Sequence, residues 1–257
     1  MKIAALASGS AGNCFYIEDD RSETAVLIDA GISTRQISLR LALLGLTAEK
    51  IKGIFITHEH ADHIKGADVF ARKYQVPIFA TKKTIDSCLL CSDKSLIEPI
   101  KNTDVIKVGG NQVQAFSKIH KAADPISYTI FSNKKVSVIT DAGHACHNII
   151  EQIKAADFLC LETNHDPEML KNGPYPAFLK KWIAGDNGHL SNVAAGHCVL
   201  EHASQKLTNI VLSHLSSTNN TPDLALATFR SIIARRSSFS PKVHVSTQHN
   251  PTKLFVI

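Results

Sequence analysis

The segment His58-Glu59-His60-Ala61-Asp62-His63 constrains this chain more than any other feature of its sequence, because it places four potential metal ligands within six residues. It follows the apolar run at residues 54–57, which predicts a strand, and it precedes a helical pattern that starts near Ile64. Where a strand passes into a helix, such side chains reach the edge of a sheet, which is where α/β proteins place their sites. The segment therefore predicts a metal site in an α/β fold.

The spacing inside this segment suits more than one metal ion. His58 and His60 are two residues apart, so their side chains point the same way if the backbone is extended. Asp62 and His63 are adjacent and are expected to diverge as the chain turns into the helix. Imidazole binds zinc, manganese and iron, and a carboxylate adds a hard oxygen ligand. One segment could thus serve two ions; the alternative is a hydrated polar loop that is rich in histidine by chance.

Short apolar runs alternate with helical patterns along the chain, which predicts an α/β protein with mixed sheets covered by helices. The predicted strands cover residues 3–7, 14–18, 25–29, 52–57, 113–119, 127–131, 136–140, 158–162, 210–215, 242–246 and 254–257. The predicted helices begin at Ser33, Ile64, Thr81, His147, Tyr175, Ser191 and Thr221. No internal repeat or long linker interrupts this order, so residues 1–257 are predicted to form a single domain.

The composition is that of a globular protein, with 44% apolar residues, 20% charged residues and a net charge of +5. No apolar run reaches the roughly 18 residues of a membrane-spanning helix, and the first apolar run is too short for a signal peptide. The six cysteines are scattered, which predicts reduced thiols and a cytoplasmic protein without a membrane partner. Cys88 and Cys91 form one C-x-x-C pair within a predicted helix, where packing is favoured over a metal or redox role.

The His58–His63 segment resembles the signature of the metallo-β-lactamase-fold hydrolases. The resemblance implies an α/β fold of the αββα four-layer sandwich type, in which two mixed sheets are flanked by helices. It also implies further metal ligands after later strands, and His120, Asp141 and His214 each stand at the end of a strand-like run. The family's early acidic residue matches Asp29, whose implied role is to support the ligand loops by hydrogen bonds rather than to bind metal.

Three further segments narrow the resemblance to the YycJ/WalJ-type branch of this superfamily, a group of bacterial proteins described as DNA exonucleases. These segments are residues 8–14, 161–166 and 188–192, and the resemblance covers essentially the whole chain. Two positions depart from the family pattern. Lys121 stands where an acidic residue is expected after the ligating histidine, and Ala142 stands where threonine is usual.

The resemblance implies two divalent ions, zinc in the first place and manganese as the alternative. The implied ligands are His58, His60 and His120 for the first ion, Asp62, His63 and His214 for the second, and Asp141 as a bridge between them. Two such ions lower the pKa of a shared water and stabilise negative charge on a phosphodiester oxygen. By analogy with related phosphodiesterases, His189 is the candidate acid for the leaving oxygen, supported by Glu162 or His165; the alternative is that His189 and His165 only orient loops. Asp62 is also a candidate acceptor of the water proton.

Candidate substrate contacts lie in the segments that carry the resemblance. Backbone N–H groups of the glycine-rich loop at residues 8–13 could bind phosphate, but a tight turn explains that loop equally well. The residues expected to contact substrate are Ser8, Ser10, Asn13, Asn164, Ser191 and Asn192. Basic pairs such as Lys180-Lys181 could contact a phosphate backbone or simply be solvated. Aromatic residues are only 6% of the chain and Trp182 is the only tryptophan, so recognition of single strands by stacking has little support from the sequence.

The sequence thus predicts a dinuclear-metal-dependent phosphodiesterase with a nucleic acid substrate, and the resemblance implies a 5′–3′ DNA exonuclease that uses a metal-activated water. A small-molecule metallo-hydrolase acting on a thioester, a lactone or a cyclic nucleotide would use the same ligands. A metal-binding regulatory protein is the third interpretation.

Overall fold

Short apolar runs rich in β-branched and aromatic residues form fourteen strands in the computed structural model, which describes residues 1–257. The strands are β1 (Lys2–Ala7), β2 (Cys14–Asp19), β3 (Thr24–Ile28), β4 (Ile51–Phe55), β5 (Ile78–Thr81), β6 (Ile97–Ile100), β7 (Val105–Val108), β8 (Asn111–Ser117), β9 (Ile126–Phe131), β10 (Lys135–Ile139), β11 (Phe158–Glu162), β12 (Asn209–Ser213), β13 (Lys242–Val245) and β14 (Phe255–Val256).

Nine α-helices lie between these strands. They are α1 (Thr34–Leu43), α2 (Ala61–Ile64), α3 (Ala67–Tyr74), α4 (Lys82–Ser87), α5 (His147–Ala155), α6 (Pro167–Asn172), α7 (Ala177–Ile183), α8 (Asn192–His202) and α9 (Pro222–Ile233). Their start signals are the expected ones, because Ser33 caps α1, Ser191 caps α8 and Thr221 caps α9 with side-chain oxygens that accept backbone hydrogen bonds. None of these helices combines the length and the hydropathy that a membrane span requires.

The strands form two mixed seven-stranded sheets, and the predicted α/β class with two mixed sheets flanked by helices is confirmed. The chain also divides into two compact units. Unit one comprises Met1–Ser117, Ala122–Lys134 and Gln248–Ile257, and unit two comprises Lys118–Lys121 and Lys135–Thr247. The prediction of a single domain stays a prediction.

Unit one contains the whole of the first sheet, in the order β14-β1-β2-β3-β4-β5-β6. β1, β2 and β3 are antiparallel, as expected for a meander, and β3 to β6 run parallel. The helices α1 and α3 add Ile37, Leu41 and Phe70 to the core of this unit. The antiparallel strands β7, β8 and β9 of the second sheet also belong to unit one.

Unit two contains the parallel strands β10, β11, β12 and β13 of the second sheet. Parallel neighbours need crossover connections, and α5, α8 and α9 lie in the three connections between these strands. Every residue of β11 is buried, as are four of the five residues of β10 and of β12, which is the pattern of strands covered on both faces. Parallel strands place their carboxyl ends at one edge, and that edge carries the polar residues described below.

Three strands and one helix were not predicted. β5, β6 and β7 are four residues each, and β6 contains Glu98 and Pro99, which weaken a strand pattern. The helix α6 is only six residues long, although Asp166 and Pro167 form a clear start signal. Short elements carry too few residues for their periodicity to be detected.

Two predicted helix positions were wrong. The helix expected from Ile64 is two helices, α2 and α3, separated by Gly66, whose N–H donates to the carbonyl of Ala30 at 2.7 Å. A Cβ at Gly66 would lie 2.1 Å from the carbonyl oxygen of Ile32, so the close approach of that loop breaks the helix. The C-x-x-C pair is not helical either: α4 ends before Cys88, and all six cysteines are free.

Candidate metal centre

In unit one, His58 and His60 lie in the loop that follows β4, and their rings approach closely. Nε2 of His58 is 3.0 Å from Nδ1 of His60, which confirms that the two side chains point the same way. Nδ1 of His58 contacts Oγ1 of Thr57 at 2.9 Å. Because that contact fixes the ring, Nε2 of His58 is the nitrogen that can bind a metal ion.

Asp29, which follows β3, supports this loop. Its Oδ1 accepts a hydrogen bond from the N–H of Thr57 at 2.8 Å, and its Oδ2 accepts one from Oγ1 of Thr57 at 3.0 Å. Oδ2 of Asp29 also lies 2.7 Å from Nδ1 of His63. Asp29 is fully buried, and these contacts agree with the supporting role that the resemblance implied. Thr57 was not identified from the sequence.

Asp62 and His63 do not diverge, contrary to expectation. Both already lie in α2, and Oδ2 of Asp62 is 3.2 Å from Nε2 of His63. Because Asp29 holds Nδ1 of His63, the ring presents Nε2 to the side on which Asp62 lies. The two side chains therefore offer an oxygen and a nitrogen to one location.

The glycine-rich loop at residues 8–13 supports Asp62 through Asn13. Nδ2 of Asn13 donates to Oδ2 of Asp62 at 3.1 Å, and the backbone N–H of Asn13 donates to the carbonyl of Asp62 at 2.7 Å. Oδ1 of Asn13 accepts from Oγ of Ser8 at 3.3 Å and from a backbone N–H of the same loop at 3.0 Å. Ser8 and Asn13 are buried, whereas Ser10 is exposed. The turn interpretation explains these contacts, and substrate binding by the three residues stays a prediction.

In unit two, the polar residues lie at the carboxyl ends of neighbouring parallel strands. Asp141 follows β10, Glu162 ends β11 and His214 follows β12, and Glu162 is paired in register with Ser213. Together with His189 these side chains place ligand atoms within 4.8 Å of one another. Asp141 and His214, both predicted from the sequence, therefore lie close together, because β10 and β12 are the two neighbours of β11 in the sheet.

Asp141 and His214 adopt an uncommon backbone conformation at these strand ends. Their φ angles are 53° and 56°, and Asp29 has a φ of 58° in unit one. A residue other than glycine with left-handed φ costs on the order of 1–3 kcal/mol, and such positions cluster at functional sites. Each turn redirects a side chain within two residues of the end of its strand.

Glu162 is fully buried and contacts two imidazoles through a single oxygen. Oε1 lies 2.7 Å from Nδ1 of His214 and 2.9 Å from Nδ1 of His189, while Oε2 accepts from the N–H groups of Ala142 and Leu190. Burial alone would raise the pKa of Glu162, but the charges and hydrogen bonds of His189 and His214 lower it to about 2. An ionised carboxylate only accepts, so both Nδ1 atoms donate and both Nε2 atoms are available for chemistry.

His120 is oriented by backbone rather than by a carboxylate. Its Nδ1 lies 3.1 Å from the carbonyl oxygen of Gly188, so Nδ1 carries the hydrogen and Nε2 is the unprotonated nitrogen. Burial lowers the pKa of His120 to about 4, although Asp141 opposes the shift, so the ring is neutral at pH 7. Neutral imidazole is the form that binds metal.

The candidate ligands of unit one (His58, His60, Asp62 and His63) and of unit two (His120, Asp141 and His214) have donor atoms that fit divalent metal ions. Metal-binding histidines characteristically donate their second ring nitrogen to a carboxylate or a backbone carbonyl, and His63, His120 and His214 all do so. Asp62 and Asp141 add carboxylate oxygens, and mixed imidazole and carboxylate sets suit zinc and manganese.

A family model described as the metallo-β-lactamase superfamily matches residues 7–150. The chain belongs to this superfamily. The exodeoxyribonuclease YycJ of Bacillus anthracis is 33% identical, with 99% of this chain and 98% of that protein covered. The exodeoxyribonuclease WalJ of Streptococcus pneumoniae is 34% identical, with 91% of this chain and 88% of that protein covered. The resemblance to the YycJ/WalJ-type branch is confirmed, and the chain is a metal-dependent hydrolase.

A solved structure supports the same fold. The metallo-β-lactamase fold protein YhfI of Bacillus subtilis superposes with a TM-score of 0.70 and covers 98% of both chains at 16% sequence identity. At this identity the likeness concerns the fold alone.

The second group of predicted substrate residues in this metallo-β-lactamase-fold hydrolase is mostly buried and engaged in structural contacts. Nδ2 of Asn164 donates to the carbonyl of His214 at 3.0 Å, which fixes the backbone at that position. The side-chain amide of Asn192 pairs with that of Asn220, and Ser191 caps α8. Direct substrate contact by Asn164, Ser191 and Asn192 stays a prediction. Asn220, 28 residues beyond Asn192, was not identified from the sequence.

The contact of the proposed acid is with Glu162 rather than with His165. Nδ1 of His189 lies 2.9 Å from Glu162, whereas Nδ1 of the buried His165 has no hydrogen-bond partner. Burial lowers the pKa of His165 to about 4, although Glu162 opposes the shift. The ring of His189 is also packed against Trp182, at a centroid distance of 5.6 Å, and this contact was not anticipated.

Proposed function

We propose that this metal-dependent hydrolase is a phosphodiesterase that degrades DNA from the 5′ end. The observation that carries the proposal is the pairing of His189 and His214 on one buried carboxylate, Glu162, beside Asp141. That arrangement sets a candidate proton donor beside candidate metal ligands. The substrate class is supported by the exodeoxyribonucleases YycJ and WalJ, whose similarity extends over nearly the whole chain.

We propose that two divalent ions are held by the seven residues named from the sequence. The proposed sets are His58, His60 and His120 for one ion and Asp62, His63 and His214 for the other, with Asp141 shared. When bound, such ions lower the pKa of water and stabilise negative charge on phosphate oxygens. Zinc is the first choice and manganese the alternative, because both accept nitrogen and carboxylate ligands.

The acid that completes the reaction is His189 in this proposal. Phosphodiester cleavage leaves an alkoxide that needs a proton, and the imidazole can supply one from Nε2. Glu162 holds Nδ1 in the donating state, so the ring keeps its orientation before and after the proton leaves. His189 is partly exposed, which gives a substrate access to it.

Asp62 is the proposed acceptor of the proton from the attacking water. The amide of Asn13 donates to one oxygen of Asp62 and restricts its rotation. The backbone hydrogen bond from the N–H of Asn13 to the carbonyl of Asp62 also holds the first turn of α2 in place. The loop at residues 8–13 therefore has a positioning role in the proposed reaction, whether or not it binds phosphate itself.

A duplex labelled at either its 5′ or its 3′ end tests the proposal. The metal-loaded protein should release the 5′ label as the first small product, and a chelator should abolish the release. Asp62→Asn should reduce the rate at least about 100-fold, on the order of what a general base contributes. The matched control is Asp86→Asn on the exposed face of α4, which should leave the rate unchanged.

The same preparation separates the alternatives. Hydrolysis of a thioester, a lactone or a cyclic nucleotide without release from DNA would identify a small-molecule hydrolase. Stoichiometric metal binding without any hydrolysis would identify a metal-binding regulatory protein. A cytoplasmic location is proposed with this function, and the six free cysteines are in keeping with it.

A further inference from the structure

The carboxyl end of the helix α7 contacts His189, the proposed acid. The carbonyl of Ile183, its last residue, accepts a hydrogen bond from the N–H of His189 at 2.9 Å. Gly188 makes this closeness possible, because a Cβ there would lie 2.3 Å from the carbonyl oxygen of Trp182. The ring of Trp182 stands perpendicular to that of His189 at 5.6 Å and lies 6.4 Å from that of His120. The only tryptophan of the chain therefore borders the proposed site.

A second aromatic side chain, Phe178, precedes Trp182 by four residues in α7. Residues four apart in a helix lie on the same side, so the two side chains are about 6 Å apart along the helix axis. Phe178 is 76% exposed, the largest exposed fraction among the large apolar residues. Trp182 is half-buried and its Nε1 is fully buried, so Phe178 offers the more accessible ring. Exposed aromatic faces near a site suit flat ligands such as nucleobases.

One lysine beside these two rings is placed to meet a phosphate backbone. Residues 169–185 include three lysines, but Lys171 lies 3.9 Å from Glu168 and the exposed Asp186 follows this segment. Nζ of Lys180 donates to the carbonyl of Lys171 at 2.8 Å, which ties α7 to α6. Lys181 lies next to Trp182 and its side chain is exposed. By contrast, the exposed residues Leu39 and Leu43 of α1 are aliphatic and offer no stacking surface.

We propose that α7 is a stacking platform for an unpaired DNA strand, on which Trp182 and Phe178 hold successive bases while Lys181 contacts the backbone. The inference rests on the proposed nuclease function and deepens it, because it makes a single-stranded or frayed end the form of substrate that is bound. A sequence-tolerant enzyme is expected, since every base offers a π-face.

Trp182 fluorescence gives a direct measurement, because no other tryptophan contributes. The metal-loaded, full-length protein is titrated with a phosphorothioate oligothymidylate, which resists hydrolysis, and with an abasic strand of equal length. We expect the oligothymidylate to quench the fluorescence and the abasic strand to quench it weakly. Equal quenching by both strands would overturn the proposal, because it would show that phosphates alone are recognised.

Phe178→Ala should weaken oligothymidylate binding at least about fivefold, the lower end of what one stacked base contributes. Phe178→Tyr keeps a ring and should bind as the unmodified protein does. Leu43→Ala on α1 removes a similarly exposed apolar side chain and should have no effect. Unchanged affinity in Phe178→Ala would overturn the proposal.

The outcomes keep the two proposals apart. If the unmodified protein degrades DNA and Phe178→Ala binds the oligothymidylate normally, the platform is refuted and the nuclease function stands. If the unmodified protein neither binds nor degrades DNA, the nuclease function itself is refuted. Loss of self-association or of binding to anionic vesicles in Phe178→Ala, with DNA affinity unchanged, would assign the ring to another partner and overturn the proposal.

Discussion

At the scale of single residues, Glu162 controls more of the candidate site than any other side chain. One oxygen orients the rings of His189 and His214, and the other accepts two backbone N–H groups. Hydrogen bonds to a charged acceptor contribute about 1.5–3 kcal/mol each, and breaking a buried one leaves its partner unsatisfied. A fully buried carboxylate with four donors is thus a positioning residue for both the acid and a proposed ligand.

Glu162→Gln should test this role, because the amide nitrogen cannot accept a hydrogen bond. Each oxygen of Glu162 accepts two hydrogen bonds, so two of the four donors lose their acceptor, and we expect the free energy of unfolding to fall by about 3 kcal/mol or more. Metal affinity should fall by about 10- to 100-fold, as for other residues that orient metal ligands. Urea denaturation and metal titration measure the two effects, with the exposed Glu168→Gln as control. Unchanged metal affinity would contradict the assignment.

His165 makes a separate prediction about pH. Burial lowers its pKa from 6.5 to about 4 in the folded chain, so the unfolded chain binds a proton first as the pH falls. The stability tied to the neutral ring is therefore complete above about pH 6.5 and is lost as the pH falls toward 4.

We expect His165→Asn to remove about 2 kcal/mol of the stability difference between pH 7.5 and pH 5.0. Urea denaturation in the presence of a chelator measures this difference without contributions from bound metal. The exposed His147→Asn serves as the control. An identical pH dependence in His165→Asn and the unmodified chain would show that His165 is not held in the neutral form.

At the scale of elements, close approaches of loops fix where the site residues stand. The loop that carries Gly31 passes so near α2 that a Cβ at Gly31 would lie 1.6 Å from the carbonyl oxygen of Asp62. The N–H of Gly31 donates to the carbonyl of Asn13 at 2.7 Å, and Asn13 in turn holds Asp62. Three segments distant in sequence thus determine the position of one carboxylate.

Gly31→Ala should displace Asp62, because the added methyl group meets backbone that cannot rotate away. We expect a loss of about 3 kcal/mol or more in unfolding free energy, together with weaker metal binding. Gly45→Ala is the matched control, since Gly45 has a φ of 69° but open space around its Cβ position. That variant should lose only about 1 kcal/mol and retain metal binding. Equal effects of the two changes would contradict the argument.

At the scale of the whole molecule, the proposed ions should couple catalysis to stability. Ligands that bind only the folded chain stabilise it by about 2.7 kcal/mol at 100 times Kd. The ligand residues come from positions 58 to 214, so the unfolded chain does not assemble them. Metal binding should therefore stabilise the fold over most of its length.

Removal of metal by a chelator should lower the Tm by about 5–10 °C, and zinc or manganese should restore it. His214→Ala should show a smaller change on chelation, because one proposed ligand is absent. Differential scanning calorimetry measures both transitions. A Tm that does not respond to chelation would show that the clusters bind no metal under those conditions.

Much of the site could be predicted because its signals are local. The spacing of His58 and His60 is a property of consecutive residues, and an extended backbone was enough to align them. Asp141 and His214 could be found only through the resemblance, since a single polar residue after a strand is common. Their proximity then follows from β10, β11 and β12 being parallel neighbours.

The sequence by itself determined the α/β class, most strand positions, the helix caps and the ligand-rich segment, because these depend on short-range periodicity and on backbone hydrogen bonds near each residue. Tertiary structure alone decided that Glu162 serves two histidines, that Asn13 holds Asp62 from 49 residues away, and that the only tryptophan packs against His189. Composition counts aromatic residues without locating them, so it could not show that Trp182 lies beside His189. Contacts between distant segments arise from the packing of whole elements, which no local pattern encodes.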